Sequence, residues 1–116
     1  MLTDLVSRAM AYDEALAARI RDLVSGEAGL TEQKMFGGLA FLVNGNMAVA
    51  ASGQGGILVR VDPAESAQLV ETTAAEEMVM RGRPMAGWLR LDPGEDELPE
   101  WVDRGLSYAR SLAPKR

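Results

Sequence analysis

The sequence predicts an α+β domain in which an antiparallel sheet is covered by helices mainly on one face. Short apolar runs in the middle of the chain are separated by glycine-containing turns, which is typical of antiparallel strands. Segments with apolar residues three or four positions apart lie at both ends, which indicates amphipathic helices. The strands come in consecutive runs and do not alternate singly with helices, which disfavours a doubly wound parallel sheet.

The N-terminal region predicts a short extension followed by a helix. Residues 1–9 lack the pattern of a signal peptide and are interpreted as an extension before a single domain over residues 10–113. Apolar spacing predicts a helix over Tyr12–Ser25, with Gly26 as its stop. The expected buried stripe comprises Tyr12, Leu16, Ile20, Leu23 and Val24. Residues 27–30 are predicted to be a connector.

Three apolar runs predict a three-stranded antiparallel meander. They are Met35–Val43, Met47–Ala51 and Ile57–Val61. Asn44-Gly45 predicts a tight hairpin turn because both residues tolerate positive φ. Gly53–Gly56 predicts a looser second turn. Gly37-Gly38 inside the first run indicates a bulge or a close approach between two backbone segments.

The second half of the chain predicts a helix, two strands and a closing helix. Asp62 and Pro63 suit a helix start, and a helix over Pro63–Glu71 is expected to bury Ala67 and Val70. The two strands are Met78–Met80 and Gly87–Leu91, with a bend at Gly82–Pro84, and the last helix is Asp96–Leu112. Residues 114–116 are assigned to a tail, and the basic end from Ala113 is expected to be frayed. The order is therefore α-β-β-β-α-β-β-α.

The composition limits the chemistry that the chain can perform. Its 116 residues include no cysteine and no histidine, so disulfides, thiolate metal sites and histidine-based catalysis are excluded. The net charge of −5 disfavours direct binding to nucleic acid and to anionic membranes. No apolar run approaches the roughly 20 residues that a membrane span needs. These features predict a cytoplasmic protein that is not an enzyme and has no catalytic residues, metal site or cofactor.

Four strings of the sequence resemble the TfoX N-terminal domain family, the first of them the opening MAYDEALAARIRDLV (Met10–Val24). KMFGGLAFLVNGNMAV (Lys34–Val49) is similar to its central signature, GRPMAGWLRLDP (Gly82–Pro93) to its second, and ELPEWVDRGLSYARSL (Glu97–Leu112) to its closing helix. The resemblance covers about Met10 to Leu112 and implies a sheet flanked by helices. Full-length members carry a second, helical domain and are positive regulators of natural competence alongside the cyclic-AMP receptor protein. This chain ends where that domain would begin, so a stand-alone first domain is expected.

One group of residues is a candidate site for an anion or another small ligand. Arg81 and Arg83 flank a glycine turn, and Lys34 enters the strand that contains Gly37 and Gly38. Backbone amides near these glycines could join the cations in holding a phosphate or a carboxylate. The commoner alternative is that the three cations form surface ion pairs with the excess of acidic residues.

Two other groups also have a functional and a structural interpretation. Trp88 and Arg90 share one face of their strand and could stack a nucleic-acid base. Alternatively, Trp88 packs against a helix and Arg90 is solvated at the sheet edge. Five methionines near the strands could form a pliable partner-binding surface or simply fill the core. They are Met35, Met47, Met78, Met80 and Met85.

The function that these observations predict is a non-enzymatic regulatory or protein-interaction module. It would act through its sheet or through an exposed sheet edge, with a protein partner or with a second copy of itself as a homodimer. Binding of a small anionic ligand is the alternative. Direct binding to nucleic acid ranks below both because of the net charge.

Overall fold

A computed structural model describes residues 12–35 and 37–115, so the predicted extension over residues 1–9 lies outside the described residues. The described residues form three helices and six strands. In chain order these are α1 (Glu14–Val24), β1 (Leu30–Met35), β2 (Gly38–Val43), β3 (Asn46–Ala51), β4 (Ile57–Arg60), α2 (Pro63–Thr72), β5 (Glu76–Met80), β6 (Arg83–Leu91) and α3 (Leu98–Ser111). In this described part of the chain, no helix is long and apolar enough to cross a membrane.

All six strands belong to one antiparallel sheet with the order β1-β2-β3-β4-β6-β5. The predicted α+β class is therefore confirmed. β1 and β5 are the two edge strands among the described residues. Strands β1 to β4 form a meander, and α2 is the connection that carries the chain past β6 to the far edge.

The three helices place their apolar side chains in one cluster on a single face of the sheet. α1 contributes Ala17, Ile20 and Val24, and the sheet contributes Phe41 and Leu89, all of them buried. The largest helical contribution comes from α3, through Leu98, Trp101, Val102, Leu106 and Ala109. The stripe of α1 differs from its prediction in one place, because Leu23 is exposed and Ala17 is buried instead.

The first predicted strand is two strands. The sequence predicts a connector over residues 27–30 and a single strand over Met35–Val43. The structure instead has two strands, β1 and β2, which meet at a turn where Gly37 has φ +76°. β1 carries four consecutive exposed polar residues, Thr31–Lys34, because it is an edge strand with little apolar surface to bury. It therefore lacks the apolar pattern by which a strand is recognised in sequence. Phe36 lies outside the described residues.

The hairpin between β2 and β3 confirms the prediction from Asn44-Gly45. Both residues have positive φ, 52° and 84°, as a type I′ turn requires. The chain end packs beside this hairpin: the Lys115 amide donates to the Asn44 carbonyl at 2.8 Å, and buried Asn46 donates from Nδ2 to the Ala113 carbonyl at 2.9 Å. The prediction of a frayed end is therefore wrong for residues 113–115.

α2 buries a polar residue where two apolar ones were predicted. Ala67 and Val70 are exposed, and Ser66 is buried against β5 and β6. The Ser66 hydroxyl donates to Glu77 Oε2 at 2.9 Å and accepts from the Gly87 amide at 3.2 Å. The short polar side chain satisfies two groups of the sheet, so these hydrogen bonds help to orient the helix, together with Leu69, which packs against the core.

An ion pair fixes α1 to the edge strand β1. Arg21 donates from Nε and Nη2 to the two carboxylate oxygens of Glu32, at 2.6 and 3.0 Å. This bidentate geometry favours the ionised carboxylate, so the hydrogen bonds from Arg21 lower the pKa of Glu32.

Candidate functional site

The face of the sheet opposite the helices carries a second apolar cluster. On β2, Leu39, Phe41 and Val43 point to the helices, and Ala40 and Leu42 point to the other side, as the period of two in a strand requires. Every strand contributes to this second cluster, which consists of Met35, Ala40, Leu42, Met47, Ala50, Leu58, Met78 and Trp88. The central strands β2 and β3 are consequently buried on both faces.

A cavity of ≈ 250 Å³ lies on this face and reaches from β1 to β5. Three methionines from three different strands line it, namely Met35, Met47 and Met78, together with small or apolar residues of β2, β3 and β4. The loop between β3 and β4 adds Ser52, Gly53 and Gln54, and the strands β5 and β6 add Glu76 and Arg90. The described lining is therefore mixed, with the methionines and other apolar side chains beside the polar groups of the loop and of β5 and β6.

Two glycine-containing turns build that end of the cavity. A Cβ on Gly38 would collide with the carbonyl oxygen of Ala51, and a Cβ on Gly53 would lie 2.6 Å from the Gly37 carbonyl oxygen. The β1–β2 turn and the β3–β4 loop are thus in direct backbone contact. The close backbone approach predicted for Gly37-Gly38 is confirmed, and its effect is to shape the cavity wall.

The charges of the cavity are few. Arg90 lies directly opposite Glu76 in the β5–β6 register, and it donates from Nη2 to the Gly55 carbonyl at 3.4 Å. Among the described residues Arg90 forms no ion pair. Glu77 is occupied by its hydrogen bond from Ser66. Arg90 is therefore the cation at the cavity that can receive an external acidic group.

Trp88 and Arg90 share one face of β6, as predicted, and this is the face opposite the helices. Trp88 packs on the second cluster and not against a helix, and Arg60 lies over its ring at 4.9 Å from the centroid. Arg90 is not at the sheet edge, because β6 lies between β4 and β5. A cation–π contact therefore already occupies the indole face that was a candidate for base stacking.

The five candidate ligand residues do not meet in one place. Lys34, Gly37 and Gly38 lie at the β1–β2 turn, at the end of the sheet where β6 finishes. Arg81 and Arg83 lie at the β5–β6 turn, at the opposite end and along the opposite edge. Of the five, Gly38 lines the cavity. A single anion site that uses all five residues is therefore incompatible with the strand order.

The methionine pattern was the more informative signal. Three of the five methionines singled out from the sequence converge on the cavity, although they are far apart in the chain. The predicted strand Met78–Met80 did not include Glu76, which begins β5, and the sequence did not indicate that the β3–β4 loop lines a cavity. Leu58 and Ala50 were recognisable only as strand residues, since nothing in the sequence indicates which face of the sheet the helices leave free. Within the described ranges, no three acidic side chains cluster closely enough to hold a metal ion.

Comparison with known families gives a match over most of the chain. The family described as TfoX N-terminal domain matches residues 22–109. The matched span includes all six strands, α2, the end of α1 and most of α3. Neither the curated proteins nor the solved structures contain a match to the chain.

Proposed function

The chain belongs to the TfoX N-terminal domain family, and from this premise we propose that it is a non-enzymatic regulatory module that binds another protein through the second face of its sheet. The family supports a regulatory domain of the TfoX type. The observation that carries the choice of surface is the methionine-lined cavity on the face opposite the helices.

The side chains around the cavity suit insertion of a partner's apolar residue. Methionine is unbranched and polarizable, so Met35, Met47 and Met78 can adjust to the shape of the group that enters. Half-buried Trp88 and the two arginines Arg60 and Arg90 lie on the same face. An apolar pocket with aromatic and arginine neighbours is the usual composition of an interface centre. The matching partner presents one large apolar side chain next to an acidic residue.

The same lining supports a binding role and not catalysis. With no histidine or cysteine in the chain, acid–base chemistry here would depend on the two carboxylates of β5. Glu77 accepts a hydrogen bond from Ser66, and Glu76 lies exposed opposite a cation. The hydroxyl that neighbours Glu77 belongs to Ser66, which is buried, also accepts from the Gly87 amide and does not line the cavity, so it is not presented there as a nucleophile.

We expect Met78→Glu to abolish capture of the partner, with Met85→Glu as the matched control. The two methionines pair across the β5–β6 hairpin and are both half-buried, but only Met78 lines the cavity. Loss of one interface hot spot of about 2 kcal/mol weakens binding roughly 30-fold. Crosslinking in the protein's own cells, read by mass spectrometry, should therefore recover a partner with the wild type and with Met85→Glu. A partner recovered equally with all three proteins, or none with the wild type, would contradict the proposal.

A second candidate function is binding of a small amphiphilic acid in the same cavity. The observation that favours it is that the cation Arg90 lines the cavity together with apolar side chains. We expect a medium-chain carboxylate such as octanoate to raise the melting temperature, because ligand at a hundred times Kd stabilises the folded state by about 2.7 kcal/mol. Arg90→Gln should lose this shift and Arg83→Gln, outside the cavity, should keep it. A flat response of the wild type to carboxylates, phosphates and nucleotides would exclude this function.

A further inference from the structure

We propose that two copies of this chain associate through their β5 edges, which pair antiparallel around Val79 and join the two sheets into one. This inference goes beyond the proposed function, because it concerns the backbone edge of β5 and a second copy, whereas the proposed function concerns a different partner and the cavity, which Val79 also lines.

The backbone N–H and C=O groups of Val79 face away from the sheet. β5 pairs with β6 on one side, and it is an edge of the sheet in the described part of the chain. Arg81 and Gly82 have φ of 54° and 77°, which makes a two-residue type I′ turn flanked by the pair Met80–Arg83. That flanking pair is hydrogen-bonded, so the next pair, Val79–Pro84, is the non-hydrogen-bonded kind.

The Val79 N–H and C=O therefore face away from β6. The partner position fits this assignment, because Pro84 has no N–H to donate. An outward donor and acceptor on one residue are the groups that an added strand uses.

The side chain of Val79 is also exposed to solvent. Its exposure is 61%, against 38% for Leu23 and 37% for Val70, the other exposed large apolar residues among those described. Edge strands are ordinarily protected by charged residues, and β5 has these only at its start, in Glu76 and Glu77, whereas Val79 near its end is a β-branched apolar residue. The other edge differs, because β1 presents the exposed polar residues Thr31–Lys34. The contact is therefore assigned to β5.

The charges along β5 select an antiparallel second copy. The strand begins with Glu76-Glu77 and is followed by Arg81. When Val79 pairs with Val79 of another copy, Glu77 lies opposite Arg81 and Met78 lies opposite Met80, and the two-fold axis repeats both pairs. A parallel arrangement would place like charges side by side, which is unfavourable. Because the contact is isologous, it closes after two copies and does not extend into a fibre.

The expected dimer is weak. A five-residue edge buries less than the roughly 800 Å² per partner of a standard stable interface. The association should therefore depend on concentration between the micromolar and the millimolar range.

The absence of cysteine allows a direct test of the register. Residues that face each other in a hydrogen-bonded antiparallel pair have Cα atoms about 5.5 Å apart, which lies within the range of a disulfide. We expect Val79→Cys to form a disulfide-linked dimer under mild oxidation at least about tenfold faster than Val70→Cys, the exposed control on α2. Equal rates for the two variants would overturn the inference.

Sedimentation equilibrium provides the second measurement. The wild type and Val70→Lys should show the same dimerisation constant, and Val79→Lys and Arg81→Asp should each weaken it at least about tenfold, since a charge at the edge opposes strand pairing. Aspartate tolerates the positive φ of position 81, so the turn is retained. A wild type that is monomeric at millimolar concentration, or a dimer unaffected by Val79→Lys, would refute the β5 contact. Either result leaves the cavity proposal in place, because that proposal is tested by capture of a different partner and not by self-association.

Discussion

Replacement of Phe41 by alanine is expected to lower the free energy of unfolding by about 3–5 kcal/mol. Phe41 is completely buried on β2 and points into the cluster between the sheet and the helices. Its removal loses the transfer energy of an aromatic ring and leaves a cavity that the neighbouring strands can fill only in part. Small domains have about 5–15 kcal/mol of total stability, so this variant should be close to unfolding at 37 °C.

Urea denaturation followed by circular dichroism measures this effect, and Phe41→Leu is its control. The leucine variant keeps an apolar side chain of similar size, so we expect a loss below about 1.5 kcal/mol. A loss below 1 kcal/mol for Phe41→Ala would show that the helices do not depend on this position for their packing, which would contradict the assignment of Phe41 to the main core.

Gly105→Ala is expected to destabilise the protein by about 1–3 kcal/mol, although alanine favours a helix by nearly 1 kcal/mol over glycine. Gly105 lies on the face of α3 that packs on β3 and β4. A Cβ there would collide with the Ala48 carbonyl oxygen and would lie 3.2 Å from Val59 Cγ1. Since a backbone carbonyl in a central strand cannot rotate away as a side chain would, the helix must move outward.

The matched control is Ser107→Ala, an exposed position two residues further along α3. Because Ser107 is exposed, Ser107→Ala should be neutral or should stabilise the protein by up to about 0.5 kcal/mol, as helix propensity predicts. Melting curves of the two variants separate the helix preference of alanine from the cost of the contact with Ala48. If Gly105→Ala is as stable as Ser107→Ala, α3 does not approach the sheet as closely as the contact with Ala48 requires.

The two proposed surfaces share strand β5. Met78 lines the cavity, and its neighbour Val79 carries the outward backbone groups. Pairing of Val79 with Val79 around a two-fold axis normal to the sheet would leave both cavities on the same side of the joined sheet. Occupation of the cavity and pairing of the edge would then influence each other through the position of one short strand.

Much of the local structure could be predicted from the residues. Asn44-Gly45 forms the expected turn, and α3, at Leu98–Ser111, lies within the predicted range Asp96–Leu112, because these signals depend on φ preferences and on spacing within a few residues. β1 was missed because an exposed edge strand needs no apolar pattern. The predicted buried face of α2 was wrong because Ser66 is buried and hydrogen-bonded there, and hydropathy contains no information on such hydrogen bonds.

By itself, the sequence determined the class of the domain, the turns on either side of β3 and most of its helices, together with the absence of histidine and cysteine chemistry. The tertiary structure alone decided which residues meet. It separated Lys34 from Arg81 and Arg83, brought Met35, Met47 and Met78 into one cavity and placed β5 at an edge. The physical reason is that turn and helix preferences act over a few neighbouring residues, whereas strand order follows from the burial of side chains that are distant in the chain.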